Sequence, residues 1–138
     1  MAEIAGIPSR INEILDRYRN GGEEGAFFDL LEMPGDVLSE LTRAFQMERL
    51  PEIRVFLVKV AWQRRHKSAL PFLREALNDA QEKVWQEALD GLVTFASPEA
   101  LEILRLARTR KFTSEVATKR FHLWLEEAIQ QVQEVLRR

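Results

Sequence analysis

The segment "ALPFLREAL" at residues 69–77 returns as "ALEILRLAR" at residues 100–108. The interval is 31 residues, and it reaches well beyond this one phrase. Counting forward by 31 takes Ile53 to Val84, Leu57 to Ala88, Val58 to Leu89 and Ala61 to Leu92. It then takes Ala69 to Ala100, Leu70 to Leu101, Phe72 to Ile103, Leu73 to Leu104 and Arg74 to Arg105. Within each phrase the apolar residues recur at helical spacing, and no stretch alternates like a strand. A helix–turn–helix unit written twice is a strong constraint. One hairpin cannot bury its apolar face alone, so its copies must stack.

The punctuation between segments is also helical. Ser9 is placed to cap a first helix carrying Ile11, Ile14, Leu15 and Tyr18, and "NGG" at 20–22 ends it. A second helix runs from about Glu23 to Met33, stopped by Pro34-Gly35; Asp36 is placed to cap a third, with Val37, Leu38, Leu41, Ala44 and Phe45 on one side. Pro51 opens a fourth, as a first-turn proline can. Ser68 starts a fifth, and Asp79 followed by Glu82 forms a capping-box-like start for a sixth. In "SPEA" at 97–100, Ser97 is the cap of a seventh, Pro98 its first turn and Glu99 a favourable charge on its dipole. Thr113 is the expected cap of the last and longest helix, whose stripe is Ala117, Phe121, Trp124, Leu125, Ala128, Val132 and Val135. Connectors this short make neighbouring helices antiparallel.

The stretches "EKVWQEALDGLVTFASPEALEILRLA" (82–107) and "PEIRVFLVKVAWQRRHKSALPFLREAL" (51–77) resemble the short HEAT repeats of 30–31 residues. The first shows Val-x-x-x-Ala-Leu-x-x-Leu, a "SPEAL" turn and a Leu-x-x-Leu second helix; the second is similar but more degenerate. The resemblance implies an all-α, right-handed α–α superhelix, a solenoid of about eight antiparallel helices in four hairpins. It implies one domain over 1–138, with its best repeats at 51–78 and 81–110, degenerate hairpins over 1–47 and a capping helix over 113–138. Residues 36–47 match a second helix only after a shift of one residue.

At 138 residues the chain can bury a substantial core. It has no cysteine, so disulfides, thiolate zinc and a cysteine nucleophile are excluded. No leader pattern opens it, and its longest apolar run, "VFLVKVAW", is too short to span a bilayer and contains Lys59. The expected location is the cytoplasm, without membrane attachment. The formal charge runs from −5 over residues 1–50 through 0 over 51–100 to +3 over 101–138.

Residues that could carry chemistry are few. Serines 9, 39, 68, 97 and 114 sit near helix starts, His66 lies in the turn "RRHKS", and there is no glycine-rich phosphate loop. His122 and Glu126, at i and i+4, supply two metal ligands without a third. The expectation is therefore no enzyme, no cofactor and no metal. Arg74 and Arg105 hold equivalent places on second helices, the helices that line the concave side in the family this chain resembles. Either they bind an acidic or phosphate-bearing face, or they pair with Glu75, Glu99 or Glu102. Arg43 is a doubtful third rung, because of the one-residue shift. Trp62 and Trp124 read as packing residues. Trp85 sits where such repeats often carry a polar or basic residue, so it either packs on the preceding repeat or stands exposed as an anchor.

Arg74, Asn78, Trp85, Arg105 and Arg108 are thus the candidate partner-binding residues, and another protein is the expected partner. One version is an inhibitor or immunity-type protein, whose acidic Glu23, Glu24, Asp29 and Glu32 meet a basic enzyme. The alternatives are a nucleic-acid binder akin to alkylated-base DNA glycosylases, disfavoured by a pI of 5.8, and an assembly or scaffold subunit. The last helix is apolar enough to pair with a copy of itself, so the chain is expected as a monomer or weak homodimer.

Overall fold

The computed structural model describes residues 2–34 and 37–138, with side chains from Arg10 onward. Among the described residues it holds eight α-helices and no strand. They are α1 (Ala2–Arg19), α2 (Glu23–Leu31), α3 (Leu38–Met47), α4 (Pro51–Gln63), α5 (Leu70–Leu77), α6 (Glu82–Phe95), α7 (Pro98–Leu106) and α8 (Glu115–Arg137), with 3₁₀ turns at Lys67–Ala69 and Ala107–Thr109. The chain divides into two compact units, which meet in sequence at Ala69 and Leu70.

In the first unit α1 packs on α2 and α3, and α4 packs on α2 and α3. Ile11, Ile14, Leu15, Ala26, Leu30, Leu41, Phe45, Leu57 and Ala61 are buried there. In the second unit α6 packs on α5, α7 and α8, and its core includes Leu73, Leu77, Val84, Leu92, Leu104, Phe121 and Leu125. No polar or charged residue is fully buried among those described. The drive to fold is therefore removal of apolar surface from water.

The 31-residue repeat extends to the backbone. Arg65 and Ala96, one interval apart, both take left-handed conformations, with φ of 58° and 46°, and each stands just beyond the end of the first helix of its hairpin. A non-glycine residue in that region costs roughly 1–2 kcal/mol, and the chain accepts it at both positions. Burial repeats as well: Ala69, Leu70, Leu73 and Ala76 are buried, and so are Ala100, Leu101, Leu104 and Ala107.

Several caps differ from the sequence expectation. α1 begins at Ala2, so Ser9 lies within it instead of preceding it, and the Ser9 side chain is outside the described residues. Asp36 is also outside them. Ser114, not Thr113, caps α8 by accepting from the Ala117 amide at 3.2 Å. Asp79 accepts from the Gln81 amide at 2.9 Å and orders the turn before α6 without capping that helix. Ser97 caps α7 as expected, accepting from the Ala100 amide at 3.1 Å. α1 ends at Arg19, and Gly21, with φ of 95°, lets the Gly22 amide reach back to the Arg17 carbonyl at 2.9 Å.

α3 registers on α5 with an interval of 32, not 31. Val37 just before it and its buried residues Leu41 and Phe45 fall on Ala69, Leu73 and Leu77, which are also buried. Arg43 therefore corresponds to Glu75, and Arg74 has its counterpart in Thr42. Arg43 is not a third rung.

Candidate protein-binding surface

On the surface of the second unit α5 presents Arg74 and Glu75, Asn78 follows its last residue, and α7 presents Arg105 and Leu106, all exposed. α5 and α7 lie side by side, and the repeat puts Arg74 and Arg105 at the same position of each. Among the described residues no side chain pairs with either guanidinium. Leu106, 53% exposed, was not distinguished in the sequence because its repeat equivalent is Glu75.

Arg108 has a different role. It grips Glu126 of α8 with both arms of its fork, Nε to Oε2 at 2.9 Å and Nη2 to Oε1 at 2.8 Å. Arg120 of α8 does the same to Glu82 at the start of α6, at 2.8 and 2.7 Å. These two bidentate pairs tie α8 into the unit. The hydrogen bonds from Arg120 and Arg108 hold the Glu82 and Glu126 carboxyls below the ordinary carboxylate range. A carboxylate with a lowered folded pKa stabilises the fold above its unfolded pKa and loses that contribution as pH falls through the folded value. We therefore expect the thermal midpoint to fall as the pH drops below the usual carboxylate range, and a Glu82→Gln/Glu126→Gln variant to show a shallower fall. Identical acid slopes in differential scanning calorimetry would remove both pairs from the account. The effect is small, because both pairs are solvent-exposed.

Trp85 is not an interface anchor. It is 2% exposed, with its ring edge-on to Phe121 at 5.1 Å and to Trp124 at 6.4 Å. Its repeat equivalent is Arg54, whose guanidinium lies 3.9 Å from the Phe45 ring while donating to the Phe45 and Glu48 carbonyls. The same position thus meets a polar demand in one repeat and an apolar one in the next. Trp124, expected in the core, is 42% exposed, as is Val135 at 44%. The buried stripe of α8 is Phe121, Leu125, Ala128, Ile129 and Val132.

Arg110 belongs to a basic cluster in the sequence with Arg105, Arg108 and Lys111 but is not among the candidate binding residues. Its guanidinium donates to the Leu77 carbonyl at 2.5 Å and to the Asp79 carbonyl at 2.7 Å. It lies 4.0 Å from the Phe112 ring centroid and 5.0 Å from that of Phe121. Burial pushes its pKa down while nearby Asp79 opposes the shift. By holding the carbonyls on both sides of Asn78, Arg110 sets where that residue sits. In the first unit Arg64 acts likewise on α2, donating to the Leu30 and Leu31 carbonyls at 2.8 and 3.0 Å. Arg64 follows Leu31, and Arg110 follows Leu77, by 33 residues.

The remaining chemical candidates are committed elsewhere. His122 Nε2 lies 2.6 Å from the Arg110 carbonyl and Glu126 is held by Arg108, so the two do not form a metal pair. His66 Nδ1 receives both the Ser68 amide, at 3.2 Å, and the Ser68 hydroxyl, at 2.6 Å, which closes the turn before α5. Of the acidic residues on α2, Asp29 is ion-paired with Arg17.

A family model of HEAT repeats matches residues 38–118, more than half of the chain. The chain belongs to the HEAT-repeat family. No curated protein and no solved structure gives a significant match. The HEAT match starts with α3 and ends early in α8, so it takes in both regular repeats together with the shifted helix before them. HEAT repeats commonly mediate protein interactions and are generally non-catalytic. Among the described residues no helix is long and apolar enough to cross a membrane, and no group of three or more His, Cys, Asp or Glu side chains could hold a metal ion.

Proposed function

We propose that this protein is a non-catalytic binding module that engages a partner protein on the exposed face of α5 and α7, through Arg74, Asn78 and Arg105. One observation carries the reading: two guanidiniums at equivalent positions of adjacent helices, both exposed and both without a pairing side chain among the described residues. A planar fork recognises carboxylates bidentately, so an acidic strip is the partner surface that fits. Leu106 supplies apolar area beside that pair, whereas Trp85 contributes only as core. Arg108 takes part through α8, since Glu126 already fills its fork.

The test is affinity capture and titration with the wild-type chain beside an Arg74→Glu/Arg105→Glu variant. Both sites are exposed, so the variant is expected to keep its thermal midpoint while losing on the order of tenfold or more in partner affinity. A stoichiometric enzyme among the lost partners would identify an inhibitor; subunits of an assembly would identify a scaffold. A partner retained at full affinity by the charge-reversed variant would refute the proposed face.

A further inference from the structure

The first unit contains a cleft of about 440 Å³ between α1, α2 and α4, lined by Tyr18, Glu23, Glu24, Phe27, Phe28, Glu52, Val55, Phe56 and Lys59. Four of these are aromatic and form a continuous run. Tyr18 and Phe56 have centroids 4.3 Å apart, Phe56 and Phe27 6.2 Å, and Phe27 and Phe28 5.5 Å. Phe56 is nearly buried and forms the floor, while Phe28 is 48% exposed and stands at the mouth. Glu52, Phe56 and Lys59 share one face of α4 by helical spacing.

Three glutamates surround these rings against one lysine. Among the described residues none of the three has an ion-pair partner. Their field reaches the cleft wall: the Tyr18 hydroxyl holds its proton above the ordinary tyrosine value, first through burial and then through the charges of Glu23 and Glu52. Elsewhere the chain covers aromatic faces with its own guanidiniums, Arg54 over Phe45 and Arg110 over Phe112. No described arginine or lysine lies over Tyr18, Phe27, Phe28 or Phe56. Ring faces are electron-rich, and rings set among carboxylates attract an organic cation more than a neutral group of the same shape.

We propose that this cleft binds the cationic side chain of an arginine or lysine presented by a basic segment of a partner protein. The aliphatic stem of that residue lies along Phe27 and Phe56, and its charged head sits between Glu23 and Glu52. Lys59 opposes the incoming charge and limits the affinity. The site is separate from the arginines of α5 and α7 and has the opposite charge preference, so the two readings stand or fall independently.

The experiment is a titration of the full chain with acetyl-Gly-Arg-Gly-amide, followed by the aromatic proton resonances of Tyr18 and Phe28, beside the neutral acetyl-Gly-Leu-Gly-amide. The arginine peptide is expected to give saturable shifts at millimolar concentration and to bind on the order of tenfold more tightly than the leucine peptide. Glu23→Gln/Glu52→Gln is expected to weaken it by about five- to tenfold, and Lys59→Gln to strengthen it by about two- to threefold. Arg74→Glu/Arg105→Glu should leave it unchanged. Equal binding of the two peptides would reduce the cleft to an apolar depression, and indifference to the glutamate changes would remove the cation. No saturable shift with the arginine peptide would overturn the proposal outright.

Discussion

Trp85→Ala is expected to destabilise the second unit by about 3–5 kcal/mol, the cost of emptying a large aromatic site in a packed core. The indole is 2% exposed and meets Phe121 and Trp124 edge-on. Its removal forfeits both ring contacts as well as the buried area. Val84 and Ala88 on the same helix are fully buried, and a close-packed core closes such a space only in part. Trp85→Phe keeps part of the volume and one aromatic contact and should cost less than half as much. Urea denaturation followed by far-UV circular dichroism measures both, with the slope showing whether the unfolded state has changed. A loss below about 1 kcal/mol for the alanine variant would mean that the ring is at the surface after all. The size of this effect also bears on function. Lost partner binding in a Trp85 variant reports unfolding of the surface that carries Arg74 and Arg105, not a lost contact.

The helices were legible in the sequence because the 31-residue interval repeats their apolar positions, and because proline, glycine and serine punctuate them. Pro51, Pro98 and Ser97 all stand where their backbone chemistry requires. Burial of a single residue within a helix was less legible, and the exchange of Trp85 and Trp124 shows why. Either tryptophan can be drawn on an apolar face, and the rotation of α8 decides between them. That rotation depends on packing: the buried residues Phe121, Leu125 and Ile129 follow Val84, Ala88 and Leu92 by 37 residues, six more than the repeat allows. The pairing of Arg108 with Glu126 was out of reach for the same reason, since the partner belongs to the helix whose rotation was unknown. The cleft of the first unit draws its rings from α1, α2 and α4, and no local pattern joins Tyr18 to Phe56. What the repeat did reveal on the candidate surface was the equivalence of Arg74 and Arg105, a matter of counting alone.

Arg110→Ala is expected to cost about 2–4 kcal/mol, which is large for a residue that is not fully buried. Two charge-assisted hydrogen bonds to backbone carbonyls contribute most of this, and the stacking on Phe112 and Phe121 adds to it. The site matters because α5 has only eight residues, too few to persist without tertiary support. Its last carbonyls have no partners within the helix, and Arg110 supplies one for Leu77. Arg110→Lys separates charge from geometry: an ammonium keeps the charge but cannot bridge the Leu77 and Asp79 carbonyls while lying flat on a ring. It should recover less than half of the loss. Amide hydrogen exchange gives the local readout, with faster exchange expected at Leu77, Asn78 and Asp79 in both variants before any global change. Protection at these amides equal to that of the wild type would show that α5 holds its own end and that the clamp is incidental. If the amides do open, Asn78 loses its fixed position, and the lysine variant should bind the partner more weakly even where the unit stays folded. That outcome would make Arg110 a positioning residue for the α5 and α7 face, acting from beneath a surface it does not itself present.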